Sequence, residues 1–248
     1  MINLYSLYLG CIVPNILPEV ERALRDVLSI LKIEFVDMRG AACCIPPALF
    51  GFQKEVWQNV NLMNFSIAKS DVITVCDECF ASLQDAKTSL EREKGKVLPN
   101  VFPLVKVLKD AEGEVKARLK KPVNLKCAVQ HSCHLLRPSE IRKVDDPFSP
   151  KLVKSLLDVI GCESVEEEEE LSCCGGSVYE GSRVSKALAV RRVRSAEASE
   201  ANIIVTTCPH CLKQLSAHSK RLPVFHLVQL YALALGSSPK SIGMRGAI

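Results

Sequence analysis

Ten of the twelve cysteines in this 248-residue chain fall into a single pattern that is written twice. Each copy has a lone Cys, an adjacent Cys pair and a Cys-x-x-Cys. The first comprises Cys11, Cys43, Cys44, Cys76 and Cys79, and the second Cys133, Cys173, Cys174, Cys208 and Cys211. Thirty-one residues separate the steps of the first copy, and thirty-nine and thirty-three those of the second. A chain this long can bury a substantial core without covalent staples, so stability gives no reason for the thiols. Regular thiolate spacing points instead to a soft metal or an iron-sulfur cluster. Cys127 and Cys162 have no counterpart in the other copy; their settings fit a core strand and a helix end, where Cys is a small buried hydrophobe.

The repeat extends beyond the cysteines. VITVCDEC (72 to 79) parallels IVTTCPHC (204 to 211), and VFPLV and VFHLV follow in turn. The pattern predicts a duplicated domain, residues 1–121 and 122–248, joined near Lys121-Pro122. Within each copy short β-rich runs, INLYSLYLG and NLKCAVQHS, precede the helical stretches PEVERALRDVLSILK and SPKLVKSLLDVIG, with apolar residues at three- and four-residue spacing. EFVDM and ESVEEEEEL then lead into the Cys pairs. SRVSKALAVRRVRSAEASEA reads as a further helix with Ser182 as its N-cap. Strand, loop and helix in this order imply an α/β fold, each half a small parallel sheet flanked by helices, with the cysteines gathered in loops at strand ends.

Charge and hydropathy bound the remaining functions. Net charge is only +4 with basic residues scattered, which gives nucleic-acid binding little support. Arg191, Arg192 and Arg194 are expected on a helix surface, and the run Glu166 to Glu170 at a solvated strand edge or turn. Apolar runs fall short of a membrane span. MINLYSLYLGC reads as a first strand rather than a leader, so the expected compartment is the reducing cytoplasm, where structural disulfides seldom persist.

Five cysteines per copy exceed the four ligands of a structural zinc or an ordinary cubane. Adjacent cysteines diverge and so serve two irons better than one ion, and a cluster of unusual shape would use all five. Alternatively, one Cys of each set is a buried hydrophobe. Either Cys-x-x-Cys taken alone fits zinc or thiol-redox chemistry equally well.

LYLGC, DMRGAACCIPPALFG, VCDECFASL, HSCHLLRPSEIRKVDDP, CCGG, CPHC and VFHLVQLYALALGSSPKSIG together resemble the B subunits of heterodisulfide reductases, which carry two CCG domains. The resemblance covers essentially the whole chain. It implies that each five-cysteine set holds a noncubane 4Fe-4S cluster with one bridging Cys, and that both clusters face a shared cavity where a disulfide is cleaved. It also implies two partners: an iron-sulfur C subunit that delivers electrons and, upstream of it, a flavin-containing A subunit. Three features depart from the family pattern. Ile45-Pro46-Pro47 follows the first Cys pair where Gly is usual, which leaves zinc or an empty first site open. Asp77 and Glu78 place negative charge where it should make reduction harder. Gln84 to Leu119 reads as a short linker.

Reductive cleavage of a disulfide needs two electrons and two protons. His134, beside Cys133, is the first candidate proton donor, because imidazole titrates near neutrality; His210 is the second. Orientation of the Cys133 loop is the structural alternative for His134. Lys213, Arg137 and Arg183 are candidates for attracting an anionic substrate. Two functions remain open on the sequence. One is catalysis on a disulfide such as that of coenzymes M and B or a related sulfur substrate, and the other is electron transfer within a larger oxidoreductase. The apolar stretch from Phe225 to Leu235 serves either core packing or docking of a partner.

Overall fold

The cysteine-bearing loops are placed by two four-stranded parallel sheets of the same strand order. The computed structural model describes residues 4–46, 53–178 and 181–244. In the first half, β1 (Tyr5–Tyr8), α1 (Ile12–Ile16), α2 (Pro18–Ile30) and β2 (Phe35–Asp37) are followed by α3 (Lys54–Ile67), β3 (Val72–Thr74), α4 (Asp77–Lys94), β4 (Val101–Pro103), α5 (Leu104–Asp110) and α6 (Glu112–Arg118). The second half runs through β5 (Lys126–Gln130), α7 (Cys133–Leu136), α8 (Ser139–Arg142), α9 (Leu152–Val159) and β6 (Glu163–Val165). It continues with α10 (Arg183–Ala198), β7 (Ile203–Thr206), α11 (Pro209–Ser216), β8 (Val224–His226) and α12 (Leu227–Ala234). The sheet orders are β2-β1-β3-β4 and β6-β5-β7-β8, in register through pairs such as Leu7↔Ile73 and Ala128↔Ile204.

Strands buried on both faces need helices on both sides, and β3 and β7 are buried throughout. Pro18 opens α2, and Val20, Ala23, Leu24, Val27 and Leu28 form the buried stripe that seats it. Ser182 caps α10 as its sequence predicts, its hydroxyl accepting from the Ser185 N–H at 3.1 Å.

The halves exchange contacts reciprocally. The last helix, α12, packs on α2 of the first half, while α5 and α6 pack on α9 of the second. Seven residues of α12, from Leu227 to Ala234, are buried, so this stretch is core rather than a docking face. The Lys120 N–H donates to the Ala234 carbonyl at 2.9 Å. Arg142 joins the halves through Asp85 at 2.7 and 2.8 Å, with Gln84 as a further acceptor at 2.8 Å. Gln84 and Asp85 therefore lie within α4, and the stretch from Gln84 to Leu119 is structured sheet and helix rather than a linker.

Two charge assignments are corrected. Arg192 is fully buried, not on the helix surface, whereas Arg191 and Arg194 are exposed. Its guanidinium donates to Glu167 at 2.7 Å and to the Val129 carbonyl at 3.1 Å. The acidic run alternates correspondingly, with the Glu167 side chain 2% exposed and Glu169 buried against Arg191. Successive helical residues point about 100° apart, so a row of arginines cannot share one environment. Burial holds the Glu167 carboxyl above its ordinary range, although Arg192 works against that shift. Arg192→Met should leave this carboxylate buried without its counter-charge and destabilise the fold by about 3–5 kcal/mol in a urea titration. Arg194→Ala, at the exposed position, should change little; equal effects from the two would contradict the assignment.

Candidate functional site

Every cysteine of the two sets lies beyond the C-terminal end of a strand. Cys11, the Cys43-Cys44 pair and Cys76 follow β1, β2 and β3; Cys133, the Cys173-Cys174 pair and Cys208 follow β5, β6 and β7. Cys11, Cys76 and Cys208 are N-cap residues of α1, α4 and α11, and Cys133 begins α7. Ends of parallel strands on either side of the order reversal are where such sheets open a crevice. All twelve cysteines are free thiols.

The ten form one continuous row. Cys11 Sγ is 3.9 Å from Cys43 Sγ, and Cys44 Sγ is 3.4 Å from Cys79 Sγ. Side-chain contacts link Cys43 to Cys44 and Cys79 to Cys76; Cys76 then meets Cys208 of the other half. The row continues through Cys211, Cys174 and Cys173 to Cys133. Neighbouring sulfurs cannot all ionise, so some thiols of the row are held low and others are pushed up. Cys44, Cys173 and Cys208 each contact two flanking thiols, and these contacts hold them well below the ordinary thiol range. Cys79 is pushed up by its contacts with Cys44 and Cys76 and then by burial, and Cys133 by its contact with Cys173 and then by burial. Cys127 and Cys162 stay outside the row, buried and in contact with each other.

The donor set suits iron-sulfur ligation. An added Cβ at Gly10 (φ +70°) would lie 2.9 Å from Cys79 Sγ, and one at Gly176 would lie 3.3 Å from Cys174 Sγ, so backbone closes tightly on the sulfurs. Gly175 and Gly176 N–H groups donate to Cys173 and Cys174 at 3.3 Å, the kind of contact that stabilises cluster thiolates. In the first copy Ile45 takes the same left-handed turn (φ +56°), a conformation unfavourable for a β-branched residue, and its N–H serves Cys43. Pro46 has no N–H for Cys44. Pro47 lies outside the described residues. Among the described residues no three Cys, His, Asp or Glu side chains converge on a single ion.

The two Cys-x-x-Cys motifs meet face to face. Glu78 and His210 occupy the same position in their copies, and Glu78 Oε2 lies 2.8 Å from His210 Nε2. Like charges there would repel; an acid and a base pair. Burial disfavours the charged His210, yet Glu78 together with the nearby Cys208 and Cys44 outweighs it and raises its pKa. Glu78 Oε1 accepts from Ser177 at 2.6 Å and lies 3.8 Å from His134 Nδ1. Asp77 accepts from Thr207 at 2.5 Å, and burial pushes its carboxyl well above the ordinary range. His226 completes the junction: Nδ1 accepts from the Val228 N–H, leaving Nε2 to donate to the carbonyls of Thr207 and Val75 at 2.9 and 3.2 Å. The acidity of Asp77 and Glu78 is thus directed at partners across the junction. The shared position of Glu78 and His210 was the available sequence signal.

Two openings adjoin the junction. A pocket of about 10 Å³ is lined by Cys11, Cys76, Cys79 and His210. A cleft of about 760 Å³ lies between α3, α4 and the second-half segment that begins at His134, with Trp57, Asp85, Arg92, Arg137 and Arg142 in its walls. Arg137 lines this cleft, whereas Lys213 and Arg183 do not.

Comparison with known proteins agrees with this construction. The cysteine-rich domain family, CCG, matches residues 5–84 and 127–216. The chain is 31% identical to the B subunit of the ferredoxin:CoB-CoM heterodisulfide reductase of Methanosarcina mazei, over 98% of this chain and 92% of that protein. It is 28% identical to the membrane anchor protein of the 8-methylmenaquinol:fumarate reductase of Wolinella succinogenes, over 97% and 95%. Among the described residues here, no helix is long and apolar enough to cross a membrane. A hypothetical protein from Helicobacter pylori shares the fold at a TM-score of 0.72 and 11% identity, covering 98% of this chain and 51% of that one.

Proposed function

The chain belongs to the CCG family of heterodisulfide reductase B-type iron-sulfur subunits, and we propose that it is the component that cleaves the disulfide. The observation that carries this reading is the unbroken row of ten thiols spanning both halves, with His134, His210 and Glu78 at the point where the sets meet. In this reading residues 1–121 and 122–248 are the two domains. Cys11, Cys43, Cys44, Cys76 and Cys79 hold one noncubane 4Fe-4S cluster, and Cys133, Cys173, Cys174, Cys208 and Cys211 the other. These clusters supply electrons one at a time and soft sites for sulfur.

The reaction consumes R–S–S–R′, two electrons and two protons and yields two thiols: the S–S bond breaks and each sulfur gains an electron and a proton. His134 lines the 760 Å³ cleft and gives a proton to a departing sulfur. Arg137, in the same wall, attracts the anionic end of the substrate. The disulfide of coenzymes M and B, or a related sulfur compound, is the substrate class. Electrons arrive in the cytoplasm from an iron-sulfur C subunit, which draws them from a flavin-containing A subunit. Similarity to the fumarate reductase component supports a second reading, an electron-transfer protein without its own disulfide.

Purification without oxygen should yield roughly eight irons per chain, and artificial donors should drive disulfide cleavage. Iron near four with one zinc would restrict the cluster to one copy. Electron passage to another redox protein, with no disulfide turned over, would favour the second reading.

A further inference from the structure

A carboxylate from the first half is fixed against two imidazoles from the second. Glu78 is the second residue of the 18-residue helix α4, its side chain only 2% exposed, and Asp77, which begins the helix, is tied to Thr207. Ser177 donates to one of its oxygens at 2.6 Å, and the other pairs with His210 Nε2 at 2.8 Å. The carboxylate is therefore immobilised from several sides. His134, by contrast, sits on the four-residue helix α7, which has no side-chain cap, and its side chain is 23% exposed at the cleft. Its Nδ1 faces Glu78 Oε1 at 3.8 Å, an ion-pair separation longer than a direct hydrogen bond. Such contacts commonly tighten when substrate fills the site. An imidazole with Nδ1 against a fixed carboxylate has Nε2 left for the opposite side, and the His134 residue lines the cleft.

We propose that Glu78 is the positioning residue for His134: reaching across from the first half, it holds Nδ1 inward and presents Nε2 to the cleft. The proposal rests on the reading of His134 as proton donor. It gives the acid of the first Cys-x-x-Cys a task besides pairing with His210, and it explains why the donor and its orienting group come from different halves. The histidine would be correctly set only when the two cysteine sets are docked together.

Glu78→Gln in the full, cluster-loaded chain keeps the side chain's shape and removes the carboxylate. Iron content and visible spectrum should be unchanged and KM nearly so, while kcat falls by roughly 10- to 100-fold, as for lost orienting partners of histidine ligands. Adding Glu78→Gln to His134→Gln should cause no further slowing, because a ring that is absent cannot be misplaced. Glu78→Asp, whose carboxylate withdraws by one methylene, should be intermediate. A crystal structure of Glu78→Gln should show the His134 ring turned away from its Nδ1-inward setting. Independent, multiplicative losses in the double variant would overturn the proposal, as would loss of iron in both Glu78 variants. If His134→Gln itself cleaves disulfides at the full rate, the proton-donor reading fails; a ring that keeps its orientation in Glu78→Gln then overturns the positioning role separately.

Discussion

Alanine at any one of Cys133, Cys173, Cys174, Cys208 or Cys211 should abolish one cluster's spectrum and remove up to roughly four of eight irons. Cys127→Ala should leave both clusters intact. The contrast follows from where the thiols lie. The five form a contiguous stretch of the sulfur row beyond the C-terminal ends of β5, β6 and β7, and two of them receive backbone N–H groups from Gly175 and Gly176. Cys127 lies near the start of β5, fully buried and in contact only with Cys162 among the thiols that perturb it. It has no route to the row. Iron analysis and absorbance of the anaerobic variants would decide, and a missing cluster in Cys127→Ala would show that the assigned ligands are wrong.

The sheets were legible because several of their strands and helices announce themselves locally. A β-rich run, a turn and an apolar stripe at helical spacing suffice to predict β1 and α2, and the same sequence of signals recurs for β5 and α9. The duplicated cysteines then place themselves at strand ends. Pairings between distant residues carry no such local mark. Arg192 looks like its exposed neighbours Arg191 and Arg194, yet one step around α10 turns it into the core and onto Glu167. The run from Glu166 to Glu170 looks uniformly solvated for the same reason. Glu78 is a departure from the family pattern until His210 is seen opposite it, since only the folded arrangement shows that the same position in each repeat meets its counterpart. Ile45 keeps the turn that Gly175 makes more easily, so a motif can lose its glycine and still preserve its geometry.

His134→Gln should retain both clusters and accept electrons from artificial donors, yet slow disulfide cleavage by about 10² to 10⁴, the range for a lost general acid. The structural argument is one of access. Most of the junction is closed: Glu78, Asp77 and His226 are buried, and the pocket beside Cys11, Cys76 and Cys79 holds only about 10 Å³. His134 is different, because it both approaches Glu78 and lines the 760 Å³ cleft, so it can pass a proton between the interior and a ligand. Removing the imidazole should therefore separate electron uptake from bond cleavage. A panel of heterodisulfides, assayed with wild type and variant, measures the separation. A disulfide that binds through sulfur should also change the paramagnetic signal in both proteins. If the variant cleaves as fast as wild type, His134 orients its loop and nothing more. If no disulfide is cleaved or alters the signal, while electrons still reach another redox protein, the chain conducts electrons and does not reduce a disulfide.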